Sequence, residues 1–548
     1  MTLKYGIDFG TTNSSIALRI PDISTKKENT VVFDVEDVKP FETLPSVVYI
    51  DEDRKVFVGT EAKREFPKNH KIQKNLIKEI KLELENKGVN GEFFAGESAE
   101  SFRTIELIAA VFRKLKEKAD ETIKILGIKV DGVVLGVPVQ FADNHKKVMQ
   151  EALIEAGFYK TPEEAEEKTE FVSEPVAVAL NYGLQLDNDK TVMVFDFGGG
   201  TLDLAIMNLK HQVGRDKLHP HETKSKARLT LGGEKLTKLF FLNGFLKKYE
   251  IDELNQKFKV NKNFIAEELW DFLTNDVDGV ELISKIDELK CELSLKKIVE
   301  FSFSAPGIVL DDKTFFRDDF ESSIESVLDD IEDKIEECLN SKEGRIEIHQ
   351  IDNVLLSGGS SLIPCIQTLL TDKFGRNKIQ IKKDSVLEGI FPDIKKRNAL
   401  VKESEVLTSV VRGLAAVGCK NDVNKLLDIV DSNYGVWNSE GHNISIILEK
   451  GTRIVDTKYD KLNISGGCKR DYHAIAENPS SIDIRVFQTD EQGNRELGTI
   501  CINNPGSGKY KIFFRIEANK GWLVVDIYDR KHMRWYDDIP LDDRVFNI

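Results

Sequence analysis

Three things are scarce in this sequence: long apolar runs, paired cysteines and surplus positive charge. No apolar stretch approaches the roughly 20 residues that a bilayer-spanning helix needs, so no membrane segment is expected. The opening Met1-Thr-Leu-Lys-Tyr-Gly-Ile passes straight into strand-like alternation, and no signal peptide is expected there. The six cysteines (Cys291, Cys338, Cys365, Cys419, Cys468, Cys501) are scattered, with no Cys-x-x-Cys pair. That excludes a zinc ribbon or a disulfide framework and points to a reduced, cytoplasmic setting. Lys and Arg number 77 against 93 Asp and Glu, a net charge of −16. Nucleic acid is therefore not expected as a main partner, because phosphate contacts need clustered cations. What remains is a globular composition, 41% hydrophobic and 31% charged, in 548 residues, too long for one core.

Glycine is placed where it matters. Val194-Phe-Asp-Phe-Gly-Gly-Gly-Thr-Leu-Asp-Leu-Ala-Ile-Met207 predicts a strand, a tight turn and a second strand. Successive glycines let bare backbone N–H groups approach a ligand. Asp196 and Asp203 bracket the turn, so a phosphate there requires a cation, and Mg²⁺ is the candidate. Taken alone, the stretch also reads as an ordinary glycine hairpin. A second copy changes that. Tyr5-Gly-Ile-Asp-Phe-Gly-Thr-Thr-Asn-Ser-Ser-Ile-Ala-Leu18 repeats the plan: Asp8, Phe9 and Gly10 match Asp196, Phe197 and Gly198. Thr11-Thr12 stands where Gly200-Thr201 stands. A third turn, Val354-Leu-Leu-Ser-Gly-Gly-Ser-Ser-Leu-Ile-Pro364, reads as strand, turn and helix start, with a backbone that could approach an adenosine. Two similar lobes facing one nucleotide are expected.

Between these turns the pattern alternates strand and helix, as an α/β fold requires. Short strands are expected from Thr30 to Gly59, and a lysine-rich helix from Ile72 to Leu84. A helix over Glu106–Leu126, a buried strand over Val130–Pro138 and a helix opening at Asp143 come next. Glu174-Pro-Val-Ala-Val-Ala-Leu-Asn-Tyr-Gly183 is a helix with Pro in its first turn and Gly at its end. Leu236–Leu295 is mostly helical, as are Asp319–Leu339 and Leu407–Val417. After an apolar-acidic connector, Asn424–Asp431, short alternating runs punctuated by turn residues begin at Tyr434. They predict a small antiparallel β-sandwich.

Together these residues resemble the seventy-kilodalton heat-shock chaperone family (heat shock protein 70, DnaK-type), whose ATPase domain has the actin-like fold. The matching stretches are Ile7–Ser14, Val137–Asp143, Ser173–Gly183, Val194–Asp203, Leu231–Glu234 and Leu356–Pro364, in the family's order. The resemblance implies an α/β actin-like (ribonuclease H-like) two-lobed ATPase domain over residues 1–420 and a linker over 421–432. An antiparallel β-sandwich peptide-binding domain without a helical lid would cover 433–548. It also implies roles. Asp8 and Asp196 would hold the Mg²⁺ shell; Gly10, Thr11, Thr12, Asn13 and Gly198, Gly199, Gly200, Thr201 would bind the phosphates of ATP or ADP. Glu174 and Asp203 would position or polarise the attacking water, with Thr201 near the γ-phosphate. Gly232, Gly233, Glu234, Asp287, Lys290, Ser294, Gly358, Gly359 and Ser360 would surround the adenosine. The family's catalytic lysine is Lys81, with Lys78 as the alternative, and K⁺ is a further candidate cation. Leu426, Leu427 and Asp428 resemble the allosteric linker, and Tyr472, Ile482 and Ile484 the peptide pocket.

Plainer readings stand beside several of these. Glu174 could cap its helix, and Lys78 and Lys81 could be solvated surface charges. Ser360 and Ser361 could simply close a turn. Alternating apolar residues such as Ile482 and Ile484 could equally be core. Cys291 and Leu362 occupy the places of the family's adenine-clamping arginines, which removes a guanidinium stacking plane. Glu170 replaces an arginine that engages J-domain co-chaperones, so a standard J-domain partner is not expected. Extended or unfolded polypeptides are the expected clients, with a nucleotide-exchange factor as a further partner. Two other readings stay open: a nucleotide-switched scaffold with weak ATPase activity and one dedicated partner, and a sugar kinase on the same fold. The connector and β-sandwich weigh against the kinase.

Overall fold

The computed structural model describes residues 3–21, 28–37, 42–51, 53–66, 76–87, 92–94, 101–138, 143–183, 188–212, 217–260, 264–341, 344–380, 405–419, 433–438, 443–449, 452, 459–460, 465–466, 468–473, 481–490, 493–503, 509–517, 522–530, 533–540 and 545–547. Two sheets of the same plan organise the first part of the chain. In the first, β1 (Leu3–Phe9), β2 (Asn13–Pro21) and β3 (Glu28–Val32) form an antiparallel meander. β4 (Val130–Val137) and β5 (Thr169–Ser173) add in parallel on the other side of β1, giving the order β5-β4-β1-β2-β3, with Leu44–Pro45 also pairing to β2. The second sheet repeats it. β6 (Lys190–Phe197), β7 (Leu202–Gln212) and β8 (Lys217–Leu229) are the meander, and β9 (Asn353–Ser357) and β10 (Ile379–Gln380) the parallel additions. Inner strands such as β6 are apolar on both faces because helices cover both faces.

Seven helices matter for the site. They are α1 (Ile80–Lys87), α2 (Thr104–Leu126), α3 (Asp143–Glu155), α4 (Glu174–Gly183), α5 (Gly233–Asn243), α6 (Val277–Leu295) and α7 (Ser409–Gly418). α4 and α7 share one buried cluster with residues of both sheets, including Val134, Val172, Val194 and Leu355. They approach at backbone contact: a Cβ on Gly413 would stand 1.8 Å from the Ala177 carbonyl oxygen. This crossing clamps the two sheets together and fixes where Glu174, the first residue of α4, points.

The lysine-rich segment departs from expectation. Leu76–Ile77 is a strand, drawn into antiparallel pairing with Val48–Ile50, and the helix begins only at Ile80. Glu79 between them takes φ +52, a left-handed turn that no continuous helix accommodates. Leu426, Leu427 and Asp428 lie outside the described residues.

Among the described residues, the last part of the chain builds two larger sheets and a two-stranded pairing of Tyr459–Asp460 with Ser465–Gly466. β11 (Asn433–Asn438), β12 (Asn443–Leu448), β13 (Cys468–His473), β14 (Ser481–Asp490) and β15 (Gly493–Asn503) precede β16 (Lys509–Glu517), β17 (Trp522–Asp529), β18 (Arg534–Pro540) and β19 (Val545–Asn547). Their orders are β12-β11-β14-β15-β19 and β13-β16-β17-β18. Side chains from both sheets meet in one core that includes Val436, Ile484, Ile500, Phe514 and Val525. Period-2 alternation in the sequence is what puts these residues on one face. No helix among the described residues is long and apolar enough to cross a membrane.

Candidate functional site

The two glycine hairpins interlock. A Cβ on Gly199 would lie 2.2 Å from Thr12 Cγ2, and one on Gly200 would lie 2.6 Å from Thr11 Oγ1. Only glycine lets the first hairpin's threonines pack onto the second. The carbonyls of the second hairpin are tied back. Gly233 N–H donates to Gly198 O at 3.1 Å, Glu234 N–H to Gly199 O at 2.9 Å, and the Ser360 hydroxyl to Gly198 O at 2.9 Å. The N-terminus of α5 and the third glycine turn thus hold the hairpin from behind. Gly358 is the turn's hinge, at φ +76 with its missing Cβ facing Phe197 O. In the first hairpin, the Ser46 hydroxyl donates to Gly10 O at 2.7 Å.

Buried carboxylates gather where the hairpins meet. Strand register sets Ser357, Asp196, Asp203 and Arg228 side by side across β9, β6, β7 and β8. Asp8 comes from β1, and Glu174 from the start of α4. The Lys81 ammonium donates to Glu174 Oε1 at 2.5 Å, and both side chains are less than a tenth exposed. Asp203 divides its oxygens: Oδ2 accepts from the Thr201 hydroxyl at 2.9 Å, and Oδ1 lies 3.8 Å from Arg228 Nε. Burial, then the nearby Glu174, pushes Asp8 up to about 7 against the opposing pull of Lys81. Burial and the carboxylates of Glu174, Asp203 and Asp8 push Asp196 well above its ordinary range. Burial likewise raises Glu174, with Lys81 opposing.

A cleft of about 450 Å³ adjoins the hairpins, and its lining includes Thr11, Thr12, Asn13, Gly198, Gly199 and Ser360. Close beside Gly199 and Ser360, α6 presents a polar clamp: a Cβ on Gly233 would stand 3.1 Å from Ser360 Oγ and 3.5 Å from Lys290 Nζ. Lys290 Nζ donates to Asp287 Oδ1 at 2.5 Å, to Gly233 O at 2.8 Å and contacts Thr237 Oγ1 at 2.8 Å. Burial alone would raise Asp287, but Lys290 and Thr237 hold it low.

A family model described as "Hsp70 protein" matches residues 4–388. A protein named "Chaperone protein DnaK" from Carsonella ruddii (strain PV) is 25% identical over 563 aligned residues, covering 97% of this chain and 82% of that protein. The chain belongs to the Hsp70 family.

The Hsp70-type residues expected from the sequence fall in two places. Asp8, Glu174, Asp196, Thr201, Asp203 and Lys81 surround the interlocked hairpins. Glu234, Asp287, Lys290, Ser294, Gly359 and Ser360 line the cleft, and Gly232 packs directly on Gly199. Lys78, the alternative to Lys81, lines the cleft instead, near Glu234 and Asp287, and burial lowers its affinity for a proton. Cys291 and Leu362 also line it. Glu170 pairs with Lys4 at 2.7 Å, away from the hairpins. Ile482 and Ile484 are buried in the core shared by the two C-terminal sheets, and Tyr472 lies on β13. Three residues were not singled out from the sequence: Arg228, Thr237 and Ser357. Arg228 and Ser357 join the site only through strand register, which a linear reading does not reveal. Thr237 could have been found, one helical turn after Gly233 in Gly-Gly-Glu-Lys-Leu-Thr.

Among the described residues no three His, Cys, Asp or Glu side chains cage a metal by themselves. Mg²⁺ asks for less: one or two carboxylates, with water and phosphate oxygens completing its shell. Asp8 and Asp196 fit that demand: Asp196 is buried and Asp8 half-buried, and desolvation with neighbouring negative charge raises both. A proton held at about 7 must leave Asp8 before a cation binds. Mg²⁺ affinity in the presence of ADP should therefore rise about ten-fold between pH 6 and pH 8, with release of a proton on binding. Calorimetry in two buffers of different ionisation enthalpy checks this; a pH-independent affinity would refute it.

Proposed function

We propose that this chain is an ATP-hydrolysing chaperone of the Hsp70 type. In this reading residues 1–420 form a two-lobed actin-like ATPase domain and 421–432 a linker. Residues 433–548 form a β-sandwich that binds extended apolar peptide segments. The observation that carries it is the carboxylate centre with the Lys81–Glu174 pair beside two interlocked glycine hairpins, whose Thr11, Thr12, Gly198 and Gly199 line a cleft of nucleotide size. Phosphoryl transfer asks for positioning and charge neutralisation more than covalent chemistry, and these residues supply both.

Thr11, Thr12 and the Gly198–Thr201 turn bind the phosphates. Glu174, oriented by Lys81, and Asp203, oriented by the Thr201 hydroxyl, hold the attacking water in line. Asp8 and Asp196 hold Mg²⁺, which supplies neutralisation of the phosphate charge when bound. Lys290, Asp287 and Thr237 hold the ribose end. ATP binding docks the β-sandwich on the ATPase domain, and hydrolysis releases it. Clients are extended polypeptides, and a nucleotide-exchange factor completes the cycle; a standard J-domain partner is not part of this reading, since Glu170 is already engaged by Lys4.

A second reading, a nucleotide-switched scaffold with one dedicated partner, draws on Cys291 and Leu362, which give the base no guanidinium to stack on. Single-turnover hydrolysis with Mg²⁺, with and without an extended apolar peptide, separates the two. Thr201→Ala should lower turnover at least about 100-fold, since it removes a group placed at the reacting centre, and peptide should accelerate wild type only. Tight ATP binding without turnover above that of the variant, and without a peptide response, selects the scaffold.

A further inference from the structure

Arg228 is a buried cation beside the reacting centre to which the proposed hydrolysis assigns no part. Alternation along β8 turns Ala227 into the core with Leu204, so Arg228 takes the opposite face. The pairing of β7 with β8 sets it directly across from Asp203. That face is the one covered by α4: Ala205, two residues on from Asp203, is buried with Val176 and Ala177 of that helix. The Arg228 side chain is 8% exposed and that of Asp203 2%, with Nε 3.8 Å from Oδ1. The two oxygens of Asp203 are thus served differently. Oδ2 accepts from the Thr201 hydroxyl, whereas Oδ1 is buried and has no hydrogen-bond partner among the described residues. A buried carboxylate oxygen left without a donor needs positive charge close by, and the guanidinium supplies it.

The charges of the centre lead to the same place. Asp8, Glu174, Asp196 and Asp203 bring four carboxylates together. Among the described residues two cations form ion pairs with them, Lys81 with Glu174 and Arg228 with Asp203. Two negative charges remain, and one Mg²⁺ equals them. K⁺, the further candidate cation, then has no carboxylate charge left to neutralise. At Asp203 Oδ1 it would also sit against a resident cation in a buried space, where like charges repel far more than in water.

We propose that Arg228 is a positioning residue for Asp203 and a built-in monovalent cation, so that hydrolysis by this chain does not need K⁺. With Thr201 on one oxygen and the guanidinium charge on the other, Asp203 is fixed to accept a hydrogen bond from the attacking water. The guanidinium is permanently charged and tethered, so it cannot exchange with ions of the solvent. This inference rests on the ATPase reading and states which cations that site takes: Mg²⁺ with the nucleotide, and no alkali ion.

The test is single-turnover ATP hydrolysis by the full-length protein with Mg²⁺ in chloride salts of K⁺, Na⁺, ammonium and choline at one ionic strength. Wild-type turnover should agree across the four salts within about three-fold, since screening is then equal. Arg228→Ala, which removes the charge and opens the space, should lower turnover at least ten-fold or so in Na⁺ or choline, roughly the cost of losing a supporting partner. K⁺, ammonium or added guanidinium should restore most of it. Its ATP affinity should change by less than about three-fold, because Arg228 is not among the residues lining the cleft. Arg228→Lys keeps a charge there and should keep the flat salt response. A binding readout stands beside activity: exchanging Na⁺ for K⁺ should leave the Tm of the Mg²⁺–ADP complex unchanged in wild type and raise it in Arg228→Ala. Should Arg228→Ala not fold, the wild-type salt series and Tm decide alone. Wild-type turnover more than about three-fold faster in K⁺ than in Na⁺ or choline overturns the inference while leaving the ATPase reading intact. A loss in Arg228→Ala that no cation restores does the same. Wild-type turnover no higher than that of Thr201→Ala in any salt overturns both.

Discussion

Lys81→Met should lower single-turnover hydrolysis by at least about 100-fold and destabilise the nucleotide-free protein by roughly 3–5 kcal/mol. The pair it breaks joins Lys81 Nζ to Glu174 Oε1 at 2.5 Å, with side chains 5% and 9% exposed. A buried ion pair is weak evidence of net stability, but removing one partner leaves the other charge without compensation. Glu174 is already pushed up by burial and by Asp203, and Lys81 is the first influence holding it down. Without the ammonium, Glu174 is pushed further up and its charged form, the one that accepts hydrogen bonds from water, is disfavoured. Asp8 rises too, since Lys81 also steadies it. Loss of rate and loss of charge balance therefore arrive together. Adding Glu174→Gln to Lys81→Met should return most of the lost stability, because both charges are then gone, and none of the rate. A Lys81→Met protein that hydrolyses within about three-fold of wild type would place the working lysine elsewhere, and Lys78 would be next to test.

The Lys81 result also marks where linear reading stopped. The alternation of Val194–Phe197 and Leu202–Met207 around three glycines announces a hairpin, and its echo at Tyr5–Leu18 announces a second. The strand order shared by the two sheets agrees with that echo. Glu174 was legible because Pro175 and Gly183 delimit its helix, which sets it at the first turn. The segment carrying Lys78 and Lys81 was not legible in the same way. Its lysines resemble an exposed helical face, yet Leu76–Ile77 is claimed by Val48–Ile50, and the turn at Glu79 re-aims helix α1. Lys81 is then 4% exposed and Lys78 faces the cleft. A tertiary strand pairing overrode a local propensity. The same limit hid Arg228, since only the pairing of β7 with β8 puts it opposite Asp203. In the C-terminal region, Ile482 and Ile484 alternate as pocket and core residues both would, and their burial puts them in the core shared by the two sheets.

Gly232→Ala should weaken ATP and ADP binding at least about 100-fold, the scale at which a displacement near 1 Å disables a positioned site. The reason is contact, not backbone strain, because Gly232 has φ −152, which alanine adopts freely. An added Cβ would stand 2.3 Å from the carbonyl carbon and oxygen of Gly199 and 2.4 Å from Gly200 N. All three are main-chain atoms of the second hairpin, so no side chain can swing aside. Something larger must move: either α5 withdraws or the hairpin does. In both cases the bonds from Gly233 N–H and Glu234 N–H to the hairpin carbonyls lengthen together. The hairpin cannot retreat the other way, since Thr11 and Thr12 already fill the space left by Gly199 and Gly200. Gly359→Ala provides the control on the same cleft. Its Cβ would meet only Leu407 Cδ2 at 3.4 Å, an ordinary contact, so the hairpin and its hydrogen bonds stay in place and the loss of nucleotide affinity should be at least about ten-fold smaller than for Gly232→Ala. Titrating a fluorescent nucleotide into both variants compares them directly. Equal, small losses in the two would mean that the hairpin yields without cost and that the cleft floor is no rigid phosphate cradle.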